Sequence, residues 1–126
     1  MKHLIFSLTA LAAILLFSLV NGLAVNHLTD TWIDQIEYAA DLASRDQWAQ
    51  AESQMKKSHR DWTSRQQYLH IVLKHDAINE VQTVYHRAIA FCAQEESADF
   101  YAEVSALSAL LTILAETEEF SLNNLF

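Results

Sequence analysis

A chain of 126 residues with no proline, and with Gly22 as its one glycine, has few ways to build tight turns. Average usage would supply about six prolines and nine glycines at this length. Hairpin-rich β architectures place such residues wherever the backbone needs a preset or a positive φ. Their absence predicts an all-α chain whose helices are joined by short, polar, glycine-free links.

The second constraint lies at the N-terminus. From Leu4 to Val25 there is no charged residue, and 11 of the 17 residues from Leu4 to Val20 are Leu, Ile, Phe or Val. At the transfer values of a helix centre these favour insertion by about 3–7 kcal/mol before small polar costs. A helix of that length spans about 33 Å, enough for a bilayer core. Residues 1–25 are therefore expected to be a membrane anchor that meets the lipid bilayer through residues 4–25, and residues 26–126 a helical domain. Lys2 precedes the run, whereas Asp30, Asp34, Glu37 and Asp41 follow it before any Lys or Arg. The positive-inside rule then places the N-terminus in the cytoplasm and the domain outside it, as in a single-pass cell-membrane protein. Gly22-Leu23-Ala24 offers small residues for signal cleavage, but the apolar core is longer than the 7–15 residues or so of a cleaved signal.

After Val25 the chain suffices for one small domain. Seven Lys and Arg face 16 Asp and Glu there, a balance of −9 that disfavours nucleic acid and anionic surfaces as partners. Cys92, the single cysteine, has no internal disulfide partner and reads as a small buried hydrophobe.

Apolar spacing outlines four helices in this domain. The first carries Leu28, Trp32, Ile36, Ala39 or Ala40, and Ala43 on one face. Ser44-Arg45-Asp46-Gln47 reads as a capping box for the second. That second helix has a seam of Trp48, Ala51, Met55, Ser58, Trp62, Arg65, Leu69 and Val72, and is predicted to run unbroken. Asp76 is the expected cap of a third helix with Ile78, Val81, Tyr85, Ala88, Ile89 and Cys92 inward. Ser97 is the expected cap of a fourth with Phe100, Val104, Leu107, Leu111 and Leu114 inward, closed by Glu116, Glu118 and Glu119. The stretch 120–126 reads as a tail that packs back on the bundle. Val104 to Ala115 is free of charge but too short for a second span. The fold expected is an N-terminal transmembrane helix followed by a four-helix bundle made of two helical hairpins.

A 53-residue offset aligns Trp32 with Tyr85, Ile36 with Ile89, Tyr38 with Phe91, Asp46 with Asp99, and Trp48 with Tyr101. Both halves then read as helix, acidic turn, helix, the pattern of a duplicated hairpin.

Little in the sequence points to catalysis. A single glycine excludes a Gly-rich phosphate loop, and the acidic pairs sit at helix ends, where water keeps carboxylates ordinary. His59, His70, His75 and His86 lack the i,i+4 spacing of a helical zinc site, although His75, Asp76, Glu80 and His86 are the place for a metal if one binds. No cofactor and no enzymatic activity are expected.

With the anchor, the Asp46-Gln-Trp48-Ala step, the His75-to-Glu80 opening and the Ser-Leu-Asn-Asn-Leu-Phe end in place, the chain resembles the bacterial domain-of-unknown-function family 4363. The resemblance implies a small membrane-anchored helical protein and carries no catalytic residue. The chain departs from it in the charge-free Val104–Ala115 stretch.

The leading expectation is a membrane-anchored module that binds another protein or itself. Its contacts would lie on a concave face between the hairpins, with Trp48, Trp62, Tyr68 and Tyr101 as candidates. An extracytoplasmic ligand-binding bundle is the alternative, and a metal-dependent activity near His75 the third.

Overall fold

The computed structural model describes the backbone of residues 2–72 and 75–125, and the side-chain surroundings of these except 21, 22, 70–72 and 117–125. Among the described residues there are helices only: α1 Lys2–Ser44, α2 Trp48–Ser64, α3 Gln66–Val72, α4 His75–Ala93 and α5 Ser97–Leu125. The all-α expectation holds.

Two expected boundaries do not appear. The anchor and the first bundle helix are one unbroken 43-residue helix, about 65 Å long. Nothing between them stops a helix, and the Thr29 and Thr31 hydroxyls donate to the Val25, Asn26 and His27 carbonyls within it. Bundle packing begins at Val25, which is fully buried although the sequence reading gave it to the anchor. At the other end α5 continues to Leu125 rather than closing at the glutamates, since no glycine or proline follows to terminate it. The expected packing of the 120–126 side chains lies outside the described residues.

The second helix, expected to be continuous, divides at Arg65. There the amide donates to the Trp62 carbonyl three residues back, at 3.1 Å. Just before it the Thr63 hydroxyl donates to the His59 carbonyl and the Ser64 hydroxyl to the Asp61 carbonyl. Such back-bonding loosens a helix only slightly, and Thr29 and Thr83 make it inside unbroken helices. The break is therefore marked by the three-residue closure at Arg65 rather than explained by the hydroxyls. Arg65 is consequently exposed rather than in the seam, while Leu69 on α3 is buried.

The links are built without glycine by an unexpected device. Ser44 is no N-cap; its hydroxyl donates to the Asp41 carbonyl, and α2 starts after Gln47 with no side-chain cap. Instead Asp46 takes φ 60°, its amide donating to Ala43 and that of Gln47 to Leu42. The α4–α5 link repeats this: Glu95 takes φ 56°, its amide donating to Cys92 and that of Glu96 to Phe91. Both are Schellman closures with an acidic residue at the left-handed position usually held by glycine. Ser97 is the first residue of α5, preceded by Glu96, whose carbonyl accepts from Phe100. Asp76 likewise lies inside the first turn of α4 rather than before it, where its charge suits the positive helix end.

These matched turns set the register of the repeat. Asp46 and Glu95 are 49 positions apart, not 53. At that offset Trp32 pairs with Val81, Ile36 with Tyr85, Ala39 with Ala88, Ala43 with Cys92, Ala51 with Phe100, Met55 with Val104, Ser58 with Leu107, and Trp62 with Leu111. Every member of these pairs is buried. The offset of 53 is about one helical turn longer, so it preserves helical periodicity while aligning the wrong residues.

The hairpins close on one another. Helix α1 packs on α2 and α5, and α4 packs on α5 and α2, so the four form a ring with one core. Trp32 and Trp62 meet edge to face at the α1–α2 seam, with centroids 5.0 Å apart, a pairing worth about 0.5–1.5 kcal/mol beyond its area. By length and composition α1 and the Ser97–Glu116 part of α5 are both apolar enough to cross a membrane. In α5, however, Phe100, Val104, Leu107, Leu111 and Leu114 face the shared core, as the spacing predicts.

Candidate functional site

Because the ring is closed, the surface between the hairpins is the core itself and the expected concave face does not exist. The four residues proposed for it divide into two pairs. Trp48, half-buried, and Tyr101, 37% exposed, both lie against Phe100 at the end bearing the two acidic turns. Trp62 is fully buried and Tyr68 half-buried toward the other end. Trp48 and Trp62 are about 21 Å apart along α2. Trp62 is a core residue, out of reach of any partner while the bundle is closed.

Tyr68 borders a region of open relief on the bundle surface. Where α1 leaves the bundle it passes the end of α2 and the start of α3. His27, Leu28, Thr31, Asp61, Ser64 and Arg65 line a groove of about 310 Å³ there. A neighbouring hollow of about 390 Å³ runs on along Ala24, His27, Leu28, Arg65 and Tyr68. The walls of the first groove mix an arginine, a carboxylate and an imidazole, with Asp61 already accepting from the Gln35 amide at 2.7 Å.

The densest polar arrangement was not anticipated as a unit. On the seam between α2 and α4, Gln82 is the hub of five side chains. Its Oε1 accepts from the Trp62 indole at 3.1 Å and from the Gln66 amide at 3.2 Å. Its Nε2 lies 2.9 Å from His59 Nε2 and 3.0 Å from His86 Nε2. An indole only donates, so the amide oxygen must face Trp62 and the NH₂ must face the two imidazoles. Both rings therefore accept through Nε2 and hold their proton on Nδ1, which makes both neutral. The ring centroids are 5.0 Å apart. Burial first, and His86 second, hold the His59 pKa below its ordinary 6.5, against an opposing contribution from the Gln82 hydrogen bond.

This geometry redirects the histidine reading. His86, grouped in the sequence with His75, Asp76 and Glu80, turns instead to His59 on another helix. The His70 side chain lies outside the described residues. Among the described residues no three or more His, Cys, Asp or Glu side chains come together as metal ligands. The partnership of His59 with His86 was hidden because it depends on how α2 and α4 pack.

The remaining reactive groups are muted. The Cys92 thiol is buried beneath Trp48, whose carbonyl it faces at 3.9 Å. Burial, then Glu52 and Glu95, push its pKa up to about 11, so it is not poised as a nucleophile. Tyr85 is raised well above its ordinary 10.0, chiefly by burial, and its hydroxyl is 2.8 Å from Ser58 Oγ.

No curated protein and no solved structure matches the chain. A family model does, over residues 21–125, covering the whole bundle and leaving most of the apolar run outside it. Its description is a domain of unknown function, and on that match the chain belongs to the DUF4363 family.

Proposed function

We propose that the protein is a single-pass membrane module in which α1 is at once the anchor and a wall of the helical domain. The observation that carries this reading is the division of one helix into two surfaces. From Leu4 to Leu23 its large apolar side chains are exposed apart from the half-buried Leu15, and from Val25 to Ala43 its apolar stripe is buried in the bundle core. All but three of the exposed large hydrophobics among the described residues fall in that first stretch. Eleven side chains of this kind on one isolated helix call for lipid. The N-terminus is cytoplasmic and the acidic bundle stands outside the cytoplasm, following the Lys2-against-Asp30 asymmetry.

The bundle works by association with another protein or a second copy rather than by catalysis. Supporting this are a thiol suppressed by burial and carboxylates at exposed helix ends. Its outer surface offers Tyr38, Tyr101 and Ile113 as exposed large apolar side chains, on the adjoining helices α1 and α5. The test is fractionation of cells expressing the full chain, followed by labelling of a cysteine at Ser53 with an impermeant maleimide. Retention in the alkaline-washed membrane and labelling in intact cells are expected. Release of the protein, or labelling only after lysis, contradicts the reading. Crosslinking in intact membranes then asks about association; a strictly monomeric protein with no specific adduct removes that part.

A further inference from the structure

The Gln82 hub makes the α2–α4 seam sensitive to protons, and this follows from the bundle alone, whichever side of a membrane it occupies. We propose that His59, Trp62 and Gln82 form an acid-labile clasp that holds α2 against α4 while the His59 imidazole is a neutral acceptor. The exposed His86, on α4 beside Gln82, completes the amide's hydrogen bonds. The Gln82 amide donates one hydrogen to each Nε2 and accepts the Trp62 indole on its oxygen. A proton arriving on either Nε2 turns that nitrogen into a donor facing another donor. Rotating the amide to present its oxygen to the imidazolium turns its NH₂ toward the indole N–H, again donor to donor. The Gln66 amide, 3.2 Å from Oε1, opposes the same rotation. Within this packing no amide orientation satisfies both a protonated His59 and Trp62, so relief requires the half-buried His59 ring to leave the seam, whereas the exposed His86 can turn into solvent.

The surrounding charges do not compensate. Among the described residues neither ring lies within ion-pair distance of a carboxylate. From α4, His59 faces His86 and the neutral phenol of Tyr85, 5.5 Å away between centroids. The carboxylate these contacts bring nearest is Asp61 of α2, whose charge reaches Tyr85 but which accepts from the Gln35 amide of α1. On α5, Glu103 is taken by Arg87 of α4 at 3.2 Å. On α3 the contact is the neutral Gln66. A second proton would set two imidazolium rings side by side. Burial and the neighbouring His86 hold the His59 pKa below its ordinary 6.5, so stability is present above that value and is lost as pH falls below it.

The experiment uses the full chain in lipid nanodiscs between pH 8 and 5.5. Nitrogen NMR of the imidazoles is expected to show both Nε2 atoms unprotonated at pH 8. The protection of the Trp62 indole against exchange, corrected for intrinsic rate, is expected to fall by up to about tenfold per pH unit for each proton taken up. Gln82→Glu supplies a carboxylate that accepts from both imidazolium rings and from the indole. In that variant the response is expected to reverse, with protection rising on acidification. In the double variant His59→Gln/His86→Gln the response is expected to vanish. A proton on Nε2 of both rings at pH 8 overturns the proposal from the wild-type spectrum alone. So does flat wild-type protection, an unchanged response in the double variant, or a Gln82→Glu response parallel to wild type.

Discussion

Trp62 combines two roles that few side chains can fill together. Its rings complete the core against Trp32, and its indole hydrogen orients the Gln82 amide. Trp62→Ala is therefore expected to lower unfolding free energy by about 3–5 kcal/mol, read by urea titration of the full chain in detergent. Trp62→Phe keeps most of the packing but frees the amide to rotate, so the two variants separate the roles. Ser58→Ala leaves the buried Tyr85 hydroxyl unpartnered and is expected to cost about 1–3 kcal/mol. Cys92 is expected to resist thiol reagents at neutral pH in the folded protein and to react at once in denaturant, by quenched mass spectrometry. Sequence spacing identified most of these residues as inward-facing. It missed their polar pairings, because Ser58 with Tyr85 and Trp62 with Gln82 depend on which faces of α2 and α4 meet.

At the scale of the element, the two closures at Asp46 and Glu95 explain how a chain without proline, and without glycine outside the apolar run, still folds back. The left-handed conformation costs roughly 1–2 kcal/mol for a residue with a Cβ, less for Asp and Asn than for Glu. Glu95→Gly is expected to stabilise the bundle by up to about 1 kcal/mol and Asp46→Gly by less, whereas Ala90→Gly within α4 is expected to destabilise it by about 1 kcal/mol. Thermal unfolding of the three variants checks the order. Helix existence and inward faces were legible from periodicity alone, as the buried Phe100–Leu114 stripe of α5 illustrates. The boundaries were not. The break at Arg65 leaves no signal in the apolar spacing, and Ser44 looked like a cap although its hydroxyl belongs to the helix it ends. The repeat was legible as a repeat but not in its register, since none of the aligned buried pairs except Ala39 and Ala88 keeps its identity.

For the whole molecule, stability is expected to form a plateau limited on both sides by groups held neutral. His59 has a lowered folded pKa, so stability declines as pH falls below about 6.5. Tyr85 has a raised one, so the unfolded chain gains by ionising and stability declines as pH rises above 10.0. Denaturant midpoints measured from pH 5.5 to 10.5 test both edges; a monotonic profile would contradict this assignment. The −9 balance of the domain adds self-repulsion across the same range and is relieved by salt, which distinguishes it from the clasp. The apolar run could be read from sequence as an anchor, but its continuity with the bundle could not, because a membrane segment and an amphipathic helix satisfy different patterns across one backbone. That continuity makes the proposed anchor a mechanical part of the domain, so that a tilt of one is a tilt of the other. Spin labels at Leu11 and Tyr38, both exposed on α1, measure it directly in a Cys92→Ala background in nanodiscs. An unbroken helix places them about 40 Å apart with a narrow distribution; a broad distribution, or a maximum well short of that distance, would show that anchor and bundle are separate bodies.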